Sequence, residues 1–95
     1  MKLNKTERAI LKALSENNGC LPSAELCKLV KTRNAGRVIA YARRLRWRGL
    51  VKTREDELTD SEIERLFISV FRYPRSRVYW VISDTALKNI QEVAK

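Results

Sequence analysis

The residues of this chain best suited to chemistry are arginines. Residues 28–54 hold ten Lys or Arg and neither Asp nor Glu. Six of the ten, Arg33, Arg37, Arg43, Arg44, Arg46 and Arg48, fall within or beside one stretch of helical periodicity. A solvated helix of a small domain normally mixes both signs, because opposite charges at i,i+4 support it and a like-charged row repels itself. A planar guanidinium donates in a fixed fork to phosphate oxygens or to guanine O6 and N7. The run therefore implies an anionic partner, and the commonest cellular polyanion is nucleic acid.

Other chemistries fare worse. Histidine is absent, and two cysteines, Cys20 and Cys27, cannot complete a four-ligand zinc site. Both read as small apolar residues of the interior, with a disulfide as the other reading. Six carboxylates, Glu55, Asp56, Glu57, Asp60, Glu62 and Glu64, occupy residues 55–64, which contain no base. Clustered carboxylates can hold Mg²⁺ for phosphodiester cleavage, but the missing histidine and the usual solvated fate of a charge run weigh against it. The chain reads as a non-enzyme, with no catalytic residue, metal or cofactor. A second use for the acidic run is to pair with the arginines and damp nonspecific binding.

Ninety-five residues bound the chain to one domain, 1–95, with a single modest core, and the formal charge of +9 suits a phosphate-bearing partner. No apolar run approaches the ~20 residues of a membrane span. The N-terminus enters an amphipathic pattern without an apolar signal core, so a cytoplasmic, nucleoid-associated protein is expected.

The elements that must position these residues follow from caps and periodicity. Asn4 and Glu7 are spaced as a capping box for a first helix over 6–17, closed by Asn18-Gly19. Cys20-Leu21 suits a very short strand. Ser23 reads as the N-cap of a short second helix over 23–31. A third helix, capped by Thr32 or Asn34, runs to Arg48 and stops at Gly49. At ~100° per residue its apolar side is Val38, Ala42 and Leu45, with Arg37, Arg44 and Arg48 nearly opposite. The acidic run reads as a solvated connection, although 59–62 could open a helical turn.

Residues 66–73 and 78–83 are rich in β-branched and aromatic residues and flank Pro74-Arg75-Ser76-Arg77, which predicts a hairpin over 66–83. The turn does not fix the register; if Tyr73 opposes Val78, Phe71 faces Trp80 on one side and Val70 faces Val81 on the other. Both hairpin faces are apolar, so a cover is required: a C-terminal helix over 84–94 with Leu87, Ile90 and Ala94 on one side, or a second copy of the chain.

This order, with the segment from Ala42 through Arg43-Arg44-Leu45-Arg46-Trp47-Arg48 to Gly49-Leu50-Val51, resembles the winged helix-turn-helix regulators, MarR-like and PadR-like members among them. The stretch from Val78 to Ile82 followed by Ser83-Asp84-Thr85-Ala86-Leu87 is similar to their last wing strand and C-terminal helix. The resemblance implies an α+β, mostly helical fold: three N-terminal helices with a helix-turn-helix at 23–48, a β-hairpin wing and a C-terminal helix. It also implies a homodimer through that helix, the apolar wing face, or both. The acidic run departs from the pattern and leaves a second placement of the wing open, over 50–73 with an acidic tip. Such a tip would repel phosphate, which favours Pro74-Arg77.

The function implied is a sequence-specific regulator of transcription that binds double-stranded DNA, its third helix in the major groove and a basic wing tip on the minor groove or backbone. Arg37 and Arg44 are the candidates for base contact, and Asn34 could read adenine if it does not cap the helix. Lys31, Arg33, Arg43 and Arg48 suit phosphates at the flanks, where Tyr41 is a boundary residue or a further contact. Arg75, Ser76 and Arg77 form the wing tip. Trp47, opposite the apolar side, is expected to pack against the acidic connection or another chain, with a place near the nucleic acid as the other reading. Two other readings use the same residues: nonspecific DNA or RNA binding, and a scaffold for protein contacts.

Overall fold

In the computed structural model of the chain, residues 3–30 and 34–93 are described, the last four by backbone alone. Lys31, Thr32 and Arg33, and Ala94 of the C-terminal apolar side, lie outside the described residues, as does the side chain of Ile90.

The elements run α1 (Lys5–Ser15), β1 (Cys20–Pro22), α2 (Ser23–Leu29), α3 (Ala35–Trp47), β2 (Val51–Lys52), α4 (Asp60–Arg72), β3 (Tyr79–Ile82) and α5 (Asp84–Val93). Helix α1 starts on the expected capping box: Asn4 Oδ1 accepts from Glu7 N at 2.8 Å, and Asn4 N donates back to Glu7 Oε1 at 3.2 Å. It stops where Asn18 and Gly19 adopt positive φ, 62° and 79°. Ser23 does not cap α2. Pro22 takes the N-cap position without a side-chain bond, and Ser23 Oγ accepts from Trp80 Nε1 at 2.8 Å, tying α2 to the sheet. Asn34 caps α3 by accepting from Arg37 N at 3.3 Å, and the chain leaves α3 through Gly49 at φ 74°.

The sheet has three antiparallel strands in the order β1-β3-β2. Cys20, Leu21 and Pro22 pair with Val81, Trp80 and Tyr79, while Val51 and Lys52 pair with Ile82 and Val81. The central strand β3 is buried throughout. One sheet face, with Leu21, Val51, Trp80 and Ile82, joins the main core of Ile10, Leu14, Leu26, Val38, Ala42 and Leu45 from α1, α2 and α3. The other face, with Cys20, Tyr79 and Val81, packs against Leu66, Val70 and Tyr73.

The expected hairpin over 66–83 is absent, because residues 66–72 are the last two turns of α4 rather than a strand. Thr59 and Glu62 form a reciprocal capping box, so the acidic run opens a 13-residue helix instead of remaining a solvated connection. Strand β3 therefore pairs with β1 and β2, Val70 reaches Val81 from across the sheet, and Phe71 turns to solvent instead of facing Trp80. The second sheet face is covered by α4, which was neither of the covers expected. β-Propensity is a weak preference that packing overrides, and leaving Tyr79 and Val81 uncovered would cost more than placing Ile and Phe in a helix.

Three sets of polar contacts anchor α4. Glu62, 1% exposed, accepts from Lys52 Nζ and Thr59 N at 2.8 Å each, and from Asp84 N at 3.0 Å. Burial pushes its carboxyl up, but these donors outweigh the desolvation and hold it below the usual range. Arg65 donates to Asp84 at 2.6 Å, and Tyr79 Oη donates to the carbonyl of Tyr73. Among the described residues no helix is long and apolar enough to cross a membrane.

Candidate nucleic-acid interface

Helix α3 owes its position to Val38, Ala42 and Leu45, all fully buried against α1, α2 and the sheet. With that seam inward, the ~100° step per residue sends Gly36, Ala40 and Trp47 along the outermost line. Arg43 stands on one side of this line and Arg37 and Arg44 on the other, and all six residues are exposed. Gly36 and Ala40 have little or no side chain, so the helix backbone can be approached closely between two rows of guanidinium groups.

Arg37, Arg43 and Arg44 are held differently from Arg46, Arg48 and Lys52. Among the described residues, Arg37, Arg43 and Arg44 form no ion pair, and Arg44 lies over the Tyr41 ring at 5.6 Å from its centroid. That contact gives half-buried Tyr41 a positioning use. Arg46 instead turns toward the acidic run, where Nε and Nη2 each donate to Asp56 at 2.8 Å. Asp56 also accepts from Thr53 N at 2.8 Å, and the Arg46 fork lowers its carboxyl to about 2. Arg48 approaches the buried carboxylate of Glu7 at 3.8 Å. Lys52 is taken by Glu62.

The acidic run thus pairs with bases at the edges of the basic surface and leaves its centre open. Asp56 neutralises Arg46, and no ion pair joins Glu55 or Glu57 to any described arginine. The carboxylates most suited to a metal are committed to protein donors, Asp56 to Arg46 and Thr53 and Glu62 to Lys52 and two backbone amides.

An open groove of about 1050 Å³ runs beside the C-terminal half of α3. Arg43, Arg46 and Trp47 of α3 line it together with Arg54, Arg77 and Tyr79 and with the acidic residues Glu55 and Asp56. Arg54 lies over the Tyr79 ring at 5.9 Å. Trp47 is 91% exposed, so the expected packing against the acidic connection does not occur within the chain. Arg77 reaches the groove from the loop between α4 and β3, and Arg75 and Ser76 belong to the same loop without lining it.

The structure therefore brings Arg37, Arg43, Arg44 and Tyr41 onto one surface, with Arg77 on the adjoining groove. Asn34 is engaged as a cap, and Arg48 is drawn toward Glu7. Lys31 and Arg33 lie outside the described residues. Sequence reasoning missed Arg54 and the open line of Gly36 and Ala40. Arg54 belonged to the basic run, and the two small residues recur at i,i+4, so both signals were present.

The thiols contribute nothing to this surface. Cys20 and Cys27 are both free, and burial pushes the Cys20 thiol up to about 11, against the nearby Ser69 hydroxyl and Arg65 charge. Comparison of the chain with protein-family models, curated proteins and solved structures returned no match.

Proposed function

We propose that the protein is a sequence-specific double-stranded DNA-binding regulator of transcription, with α3 as the helix that enters the major groove. The observation that carries the reading is the solvent face of α3, where Gly36 and Ala40 lie between Arg43 and the pair Arg37 and Arg44, none of them ion-paired. A helix in the major groove needs a narrow crest and donors on both flanks, because the groove is only ~12 Å wide. Arg44, steadied over Tyr41, and Arg37 then read base edges, while Arg43 holds phosphate.

The element order α1-β1-α2-α3-β2 followed by β3 supports a winged helix in which α4 is inserted between the two wing strands. In this reading the wing contact is made by the loop carrying Arg75, Ser76 and Arg77, helped by Arg54 across the groove. A regulator reading a two-fold operator would act as a homodimer.

Selection of bound sequences from a random duplex pool tests the proposal. A defined consensus supports it, and Arg44→Ala should then lose ~1–3 kcal/mol of discrimination at particular base pairs. Equal loss on all sequences would remove direct readout by Arg44.

The exposed Trp47 beside Arg43 favours a second reading, in which an unpaired base stacks on the indole and the chain prefers single strands or structured RNA. Competition among duplex, single-stranded DNA and structured RNA separates the two.

A further inference from the structure

Helix α4 has two faces of opposite fate. Its inner face is spent on the sheet through Leu66, Val70 and Tyr73. Its outer face carries Ile63, Phe67, Ile68 and Phe71, of which Phe67 is 68% and Phe71 88% exposed. Contiguous large apolar groups at i,i+4 on the outside of a small domain mark an interaction surface rather than chance exposure.

The charges beside this stripe say what kind of surface it meets. Asp60 and Glu64 lie at the N-terminal half of α4, and Arg72 and Arg75 at and beyond its C-terminal end. All four are exposed, and none makes an ion pair within the described residues. Reversed, the helix therefore sets its acidic N-terminal half against its basic C-terminal end, with Phe67, Ile68 and Phe71 between Glu64 and Arg72.

We infer that α4 is the interface of a homodimer in which the α4 helices of two copies pack antiparallel about a two-fold axis near Phe67. That axis sets Phe67 against Phe67 and Ile63 against Phe71 of the second copy. It brings Glu64 within about two residues' rise, ~3 Å along the axis, of Arg72 across the contact. A parallel pairing would place carboxylate beside carboxylate and guanidinium beside guanidinium, which the charge pattern disfavours. Every contact except the on-axis pair of Phe67 rings occurs twice across a two-fold axis, so four apolar side chains per copy build an eight-residue seam.

The dimer stands on α4 alone and needs no nucleic acid, so it goes beyond the DNA-binding reading and can fail separately from it. It differs from a contact through the C-terminal helix, and it takes Phe67 and Phe71 from the segment expected to form the apolar wing face.

Sedimentation of the full chain without nucleic acid, over a concentration series at low salt, gives the test. The wild type should move from monomer to dimer with rising concentration. Phe71→Gln and Phe67→Gln remove exposed groups and keep good helix formers, so their circular dichroism should match the wild type while association weakens about tenfold or more.

Glu64→Arg and Arg72→Glu should each weaken association about fivefold to tenfold, since each places like charges together twice. The double reversal should restore it to near the wild-type value, although both changes oppose the helix dipole. A chain that stays monomeric up to millimolar concentration overturns the inference. So does a dimer indifferent to Phe67→Gln and Phe71→Gln, or a double reversal that associates no better than the single ones.

Discussion

Asp56 was expected to belong to a solvated acidic stretch, and its position instead depends on one arginine. The Arg46 fork, with Thr53 N, holds its carboxyl at about 2 against an ordinary 3.8. A depressed acid stabilises the fold fully above its unfolded value, and that contribution disappears as pH falls from 3.8 toward 2. Thermal melting of Asp56→Asn across this window should show a flatter pH dependence than the wild type, with a melting temperature several degrees lower near neutrality. Glu62 shifts in the same direction, so the difference between the two proteins isolates Asp56. Glu62 itself carries more. Glu62→Ala would strand Lys52 and two backbone amides and should cost ~2–4 kcal/mol in chemical denaturation, whereas Glu57→Ala, on an exposed carboxylate, should cost little. Gly19 is constrained twice, by its φ of 79° and by Arg65 Cδ and Ile82 Cγ2 where a Cβ would stand. Gly19→Ala should lower stability by ~1–3 kcal/mol in the same assay. The capping box at Asn4 and Glu7 and the stop at Gly49 were legible in the sequence, because a cap is a contact between near neighbours. The use of Ser23 by Trp80, 57 residues away, was not.

At the scale of elements, α3 and α4 teach opposite lessons. The inner side of α3 could be read from spacing alone, since Val38, Ala42 and Leu45 recur at helical intervals and all three are fully buried. Residues 66–73 satisfied a strand template by composition and a helix template by periodicity, with Leu66, Val70 and Tyr73 as the helical row. The box Thr59 and Glu62 was the deciding local signal. Thr59→Ala removes one half of it and should cost ~1 kcal/mol, read as a lower denaturation midpoint with helix content retained. Covering the second sheet face is a demand that arises only after β1 and β2 have found β3, so no local window contains it.

For the whole molecule, the formal charge of +9 is less informative than where the charges are left open. If Arg43, Arg54 and Arg77 each neutralise one phosphate while Arg37 and Arg44 read bases, duplex affinity should fall with salt at a log–log slope of about −2.7, and Arg77→Ala should reduce its magnitude by about 0.9. Arg46→Ala should change the slope little, because its guanidinium is already paired with Asp56. The basic character, the three N-terminal helices and the seam of α3 can be read from the order of residues, since charge and short-range periodicity are properties of neighbours. Which arginines remain open, how α4 divides between the sheet and solvent, and where the groove lies emerge once the chain is folded. Each of these depends on contacts between residues far apart in the chain, where burial outweighs local preference.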